Sequence, residues 1–119
     1  MKTFNYNDLL SNEIAGILNS YGSYNIGKQD EQYYIEYEFY SDLGEDVVET
    51  IWFDGTNEDF IIEFSKNAYA FDPSEHAEMY IPIRGSDGVP NVSVRDLLED
   101  ADGIKETLIN IAKELQALN

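Results

Sequence analysis

Cysteine is absent from this 119-residue chain and basic residues are scarce, with seven Lys and Arg against 24 Asp and Glu. The first absence removes disulfides, zinc thiolate sites and thiol nucleophiles together, and it fits a reducing compartment. The second leaves a formal charge of -17. That charge repels DNA, RNA and anionic membrane surfaces and steers cationic partners toward the chain, so direct nucleic-acid binding is not expected. No apolar run approaches the roughly 18 residues of a spanning helix. Met1-Lys2-Thr3-Phe4 is followed by no signal-peptide core, and the expectation is a cytoplasmic protein without membrane contact.

Catalytic signatures are missing as well. His76 is the only histidine, so a histidine-based triad would have to use it. Its neighbours Glu75 and Glu78 point away from it on a helix and make no metal pair with it, which leaves a surface or packing role. The serines have no nucleophile-elbow context, and no glycine-rich phosphate loop or P-loop lysine occurs. A calcium loop begun at Asp54 fails, because Asp59 stands where glycine is needed and Ser65 where the closing glutamate is needed. Paired carboxylates require a pocket and a raised pKa to hydrolyse glycosides or phosphoesters, whereas here they alternate with aromatics. No enzyme, cofactor or metal is expected.

What is present is concentrated in one stretch. Asp30 to Glu63 holds twelve of the 24 acidic residues, and neither Lys nor Arg occurs between Lys28 and Lys66. The stretch also carries Tyr33, Tyr34, Tyr37, Phe39, Tyr40, Trp52, Phe53 and Phe60. Aromatics at that density mark strands and set the stretch apart from a disordered acidic tail.

Periodicity assigns the elements. Leu10, Ile14, Ile17, Leu18 and Tyr21 share one helical face, which predicts a helix from Asn7 to Tyr21, capped by Asn5 or Asn7 and closed by a left-handed Gly22. Ser23 to Lys28 is a candidate strand and Gln29 to Gln32 a turn. Tyr33 to Tyr40 alternates: Tyr33, Ile35, Tyr37 and Phe39 face the core, while Tyr34, Glu36, Glu38 and Tyr40 face solvent. After a turn at Gly44, Val47 to Phe53 reads as a strand of ambiguous period: either Val48, Thr50 and Trp52 or Val47, Ile51 and Phe53 can face inward, which suits burial on both faces. Asp54-Gly55-Thr56-Asn57 is a hairpin signal and Phe60 to Phe64 a following strand, with Phe60, Ile62 and Phe64 on one side. Asp72-Pro73-Ser74-Glu75 starts a short helix to about Tyr80, ended near Pro82, and 84–92 is a loop. From Ser93, apolar residues at Val94, Leu97, Ala101, Ile104, Leu108, Ile111, Leu115 and Leu118 recur in steps of three and four through Gly103. They predict one long helix that tolerates the glycine at about 1 kcal/mol. Its 3,4 spacing also suits a partner-helix seam, but packing on the chain's own sheet is the simpler expectation. The fold class is α+β: a three- or four-stranded antiparallel meander, an N-terminal helix, a short helix and a long C-terminal helix packed on the sheet, in one domain over 1–119.

With no catalytic constellation, the surface is the candidate for function. Glu36 and Glu38 lie about 6.6 Å apart on one strand face, and duplex DNA presents a phosphate per about 3.4 Å of axis on each strand. Carboxylate rows on a rigid sheet fit a cationic groove, and the interleaved tyrosines supply interface anchors. The candidate protein-interaction residues are Tyr34, Glu36, Glu38, Tyr40, Glu49 and Glu63, with a second carboxylate stripe at Glu99, Asp102 and Glu106 on the long helix. On that helix Arg95 can pair with Glu99, and Lys105 with Asp102. Bulk solubility is the plainer explanation of the charge.

The segments Glu75-His76-Ala77-Glu78-Met79-Tyr80, Arg84-Gly85, Gly88-Val89-Pro90 and Leu97-Leu98-Glu99-Asp100-Ala101-Asp102 resemble a class of short uncharacterised proteins carried by bacterial phages and conjugative elements. The resemblance covers mainly the C-terminal half and brings no known active site. It implies a mobile-element context, in which small acidic inhibitors of host defences occur and some imitate DNA. The expected function is therefore a non-enzymatic acidic interaction protein, a nucleic-acid mimic of a kind that inhibits a basic host nucleic-acid-binding protein. The alternative is a structural or accessory protein that assembles through hydrophobic contacts with itself or with another element-encoded protein.

Overall fold

The computed structural model describes residues 6–78 and 93–118. A 3-10 turn at Tyr6–Leu9 leads into helix α1 (Asn12–Tyr21), then strands β1 (Ser23–Gln29), β2 (Gln32–Tyr40) and β3 (Asp46–Phe53). Helix α2 (Asn57–Ala70) follows, then the helical residues 73–78 (α3) and helix α4 (Val94–Gln116). The three strands form one antiparallel sheet in the order β1-β2-β3. The α+β class, the N-terminal helix, the meander and the long C-terminal helix agree with the sequence reading. The predicted helix end near Pro82 and the loop at 84–92 lie outside the described residues.

The largest correction concerns Phe60 to Phe64, expected as a fourth strand and found inside α2. Thr56 is the N-cap, accepting a hydrogen bond from the Asp59 amide at 3.1 Å. Asp54 is bonded to both the amide and the hydroxyl of Thr56, and Asp59 accepts from the Asp54 amide at 2.8 Å. The Asp54-Gly55-Thr56 signal thus serves a helix start instead of a hairpin. Phe60, Ile61, Phe64 and Ala68 are buried while Ile62 is 52% exposed, which is the helical pattern. A five-residue run with four apolar positions, broken at Glu63, satisfies both periods, and the cap chemistry upstream is the discriminating signal.

Other boundaries moved for equally local reasons. Ser11 caps α1, in place of Asn5 or Asn7, by accepting from the Ile14 amide at 3.3 Å. Gly22 is extended, with φ -170° and ψ -149°, and is not left-handed. Its requirement is close approach: a Cβ there would lie 2.1 Å from the Glu38 carbonyl oxygen. The β1-β2 hairpin turns on Asp30 and Glu31 at φ 50° and 69°, the sign pattern of the type I′ loop that matches strand twist. Gly44, at φ 87°, lets the β2-β3 loop close, with its amide bonded to the Ser41 carbonyl.

The core lies between one face of the sheet and the helices. Ile35, Tyr37, Phe39, Val47, Ile51 and Phe53 pack in one cluster with Leu10, Ile14 and Leu18, with Phe60, Ile61 and Phe64, and with Ile104, Leu108, Ile111 and Leu115. Tyr37, Phe64, Phe60 and Phe53 run through it as successive ring contacts with centroids 6.0, 5.8 and 5.4 Å apart. The Tyr37 hydroxyl donates to the Leu18 carbonyl at 2.6 Å, and burial raises that phenol's pKa well above its ordinary value. α3 packs through Ala77 on Leu97 and Ala101, and Asp72 accepts from the Ser74 and Glu75 amides at its start.

α4 begins in a capping box of Ser93 with Asp96 and passes through Gly103 unbroken. Its predicted stripe is buried from Leu97 to Leu115, but Val94 in its first turn and Leu118 just past its end are 56% and 43% exposed. The Arg95–Glu99 pair forms at 3.2 Å. The expected Lys105–Asp102 pair does not form among the described residues. Lys105 instead donates to the Tyr69 and Phe71 carbonyls at 3.0 and 2.6 Å, where the C-terminus of α2 leaves acceptors unfilled. Asp100, buried, accepts from the Leu43 amide at 3.0 Å and so ties α4 to the β2-β3 loop.

Candidate protein-interaction face

All the helices whose contacts define the core pack on one side of the sheet. Among the described residues no element covers the other side. Strand alternation and the pairing register decide what that outer face displays. β2 contributes Tyr34, Glu36, Glu38 and Tyr40, opposite Trp52, Thr50, Val48 and Asp46 of β3. β1 contributes Gly27 opposite Tyr34, Asn25 opposite Glu36 and Ser23 opposite Glu38. Tyr40, Val48 and Trp52 are 69%, 50% and 42% exposed. β3 is therefore not buried on both faces: Val47, Ile51 and Phe53 take the core side alone.

The face has an aromatic end and an acidic end. At the aromatic end the Tyr34 and Trp52 rings stand 5.2 Å apart at 50°. Tyr34 lies across Gly27, whose missing side chain makes room: a Cβ there would sit 2.5 Å from the ring. At the acidic end the neighbouring Asp46 charge raises the Glu38 carboxyl above its ordinary pKa. No Lys or Arg belongs to the three rows of this face. The one basic residue in the strands, Lys28, pairs with Tyr33 in the inner set and lies over that ring at 5.3 Å.

Four of the sequence-derived candidates, Tyr34, Glu36, Glu38 and Tyr40, are thus brought together as one row. Glu49 is not with them. It sits opposite Tyr37 in the inner set, half-buried, and burial raises its carboxyl pKa while the nearby His76 partly counters the effect. His76 Nε2 lies 2.9 Å from Glu45 Oε1 and its ring packs on Phe71, so this corner joins α3 to the start of β3. Glu63 also leaves the face, because it belongs to α2, where it pairs with Lys66 at 3.3 Å. It helps line a hollow of about 370 Å³ beside Trp52, together with Glu31, Asp54 and Asp59. Glu99, Asp102 and Glu106 form an exposed stripe on α4, in the helical layer behind the sheet. Asp46 and Trp52 were not among the candidates, and cross-strand register with β2 is the signal that places them.

No group of three or more metal-ligating side chains gathers among the described residues, and no described helix is long and apolar enough to cross a membrane. No family model matches the chain, and no curated protein or solved structure does either.

Proposed function

We propose that this chain is a non-enzymatic acidic interaction protein of a mobile genetic element, whose outer sheet face occupies the cationic surface of a basic nucleic-acid-binding protein as a nucleic-acid mimic. The observation that carries this reading is the uncovered face itself, with Glu36 and Glu38 on the β2 row, Asp46 on the adjoining β3 row and no Lys or Arg in any of its three rows. A rigid sheet fixes carboxylate spacing without an ordering cost at binding, and half-exposed tyrosines add apolar contact. The mobile-element context rests on the sequence resemblance. The experiment is capture from bacterial lysate, with proteins eluted by rising salt and by competing duplex DNA. A mimic releases its partner to both, because both compete for the same cations. A chain carrying Glu36→Gln, Glu38→Gln and Asp46→Asn should capture nothing, and undiminished capture by it refutes the role of this face.

A second reading, assembly through hydrophobic contacts with itself or another element-encoded protein, is favoured by a different surface. Ile62 and Tyr69, 52% and 50% exposed, border an apolar hollow of about 450 Å³ on α2, beside Gln116 of α4. Salt-resistant association that is lost in Ile62→Ser would support it.

A further inference from the structure

We infer that the aromatic end of the outer face is a seat for arginine side chains, so that the partner docks through an arginine-bearing segment and lysine is a poor substitute. This rests on the acidic-interaction reading above and names the chemistry of the partner's contact. Two features converge on Trp52. Its ring meets that of Tyr34, which lies across Gly27 and is partly exposed. Trp52 also forms a wall of the hollow of about 370 Å³ that Glu31, Asp54, Asp59 and Glu63 line. Glu36 is the next outward residue on β2.

A cation arriving here meets aromatic faces flanked by carboxylates. A guanidinium fits both at once: it is planar and weakly hydrated, it stacks on aromatic rings, and its fork of donors bonds carboxylates bidentately. An ammonium is a compact, strongly hydrated point charge that gains less from a ring. Net charge alone attracts both cations equally, so discrimination between them is the signature of this seat. The carboxylates of the hollow are partly engaged already. Asp54 is bonded to Thr56, Asp59 to the Asp54 amide and Glu63 to Lys66. Those bonds fix the direction of the carboxylates and leave each with acceptor capacity.

Trp52 is the only tryptophan in the chain, so its fluorescence reports on this seat alone. The experiment titrates the whole protein with an eight-residue oligoarginine peptide and its oligolysine equivalent at 150 mM salt, following Trp52 emission, its quenching by acrylamide, and heat by calorimetry. Oligoarginine should bind about two- to fivefold tighter, shift Trp52 emission and shield it from acrylamide. In Tyr34→Thr and Trp52→Thr, both half-exposed and read by calorimetry with circular dichroism as the folding control, that preference should fall to about one while oligolysine affinity holds. Equal affinities with Trp52 emission unchanged would overturn the arginine seat and leave the acidic reading standing. Binding of neither peptide would overturn both.

Discussion

Gly22 offers the sharpest test of the packing at the α1-β1 junction. An alanine there would put its Cβ 2.1 Å from the Glu38 carbonyl oxygen, 3.1 Å from the Glu38 carbonyl carbon and 3.0 Å from the Phe39 Cβ. The first contact is more than 1 Å too short, and the obstacle is backbone. Glu38 is held in register by Ser23 on one side and Val48 on the other. Gly22 is held too, because its amide donates to the Leu18 carbonyl, which also accepts from the buried Tyr37 hydroxyl. Relief therefore requires either prying β1 from β2 or pulling α1 off Tyr37. Overpacking costs about 1–3 kcal/mol, and a lost rung adds about 1 kcal/mol. Gly22→Ala should thus lose about 2–4 kcal/mol, a large share of a small domain's stability. With a urea slope of about 2 kcal/mol/M, the midpoint falls by about 1–2 M. Asparagine separates this cause from the left-handed cap that the sequence pattern predicts, since asparagine is the best substitute for a left-handed glycine. Under close approach it should be at least as damaging as alanine. An asparagine variant within 0.5 kcal/mol of the parent (about 0.25 M in urea) would refute the reasoning.

Three further outcomes follow from particular contacts. Lys105→Met removes a charged donor from two carbonyls at the end of α2 and should cost about 1.5–3 kcal/mol, whereas Asp102→Asn should change stability by less than about 0.5 kcal/mol; equal effects in urea melts would contradict the assignment. Burial raises the Glu49 carboxyl, so the folded state favours its protonated form: the contribution to stability is full below the unfolded pKa and lost as pH rises through the folded one. Glu49→Gln should accordingly stabilise the protein near pH 7 relative to the parent and give no such gain near pH 4, and a pH-independent difference would count against burial as the cause. The Glu38 carboxyl, raised chiefly by Asp46, should titrate at lower pH in Asp46→Asn when followed by NMR, and an unmoved titration would show that the two charges do not interact.

Periodicity in the sequence was sufficient wherever a segment was long and had one apolar face. The 23-residue α4, its passage through Gly103 and the division of β2 into Ile35, Tyr37 and Phe39 against Tyr34, Glu36, Glu38 and Tyr40 are determined by 3.6- and 2-residue repeats alone. The excess of carboxylates is likewise a property of the sequence. Tertiary structure decided the rest, because the competing local signals were nearly balanced. Phe60 to Phe64 suits a strand or a helix, and the bonds among Asp54, Thr56 and Asp59 commit it to α2. β3 had two apolar faces, and only packing against Phe60 and Phe64 selects Val47, Ile51 and Phe53 for the core, leaving Trp52 outside. That selection turns Glu49 inward, gathers Asp46 and Trp52 beside the β2 row, and carries Glu63 away to a helix. The sequence alone therefore determined that a carboxylate row would be displayed. Which residues stand next to it depended on cross-strand register and helix docking, since those neighbours are distant in the chain and no local period relates them.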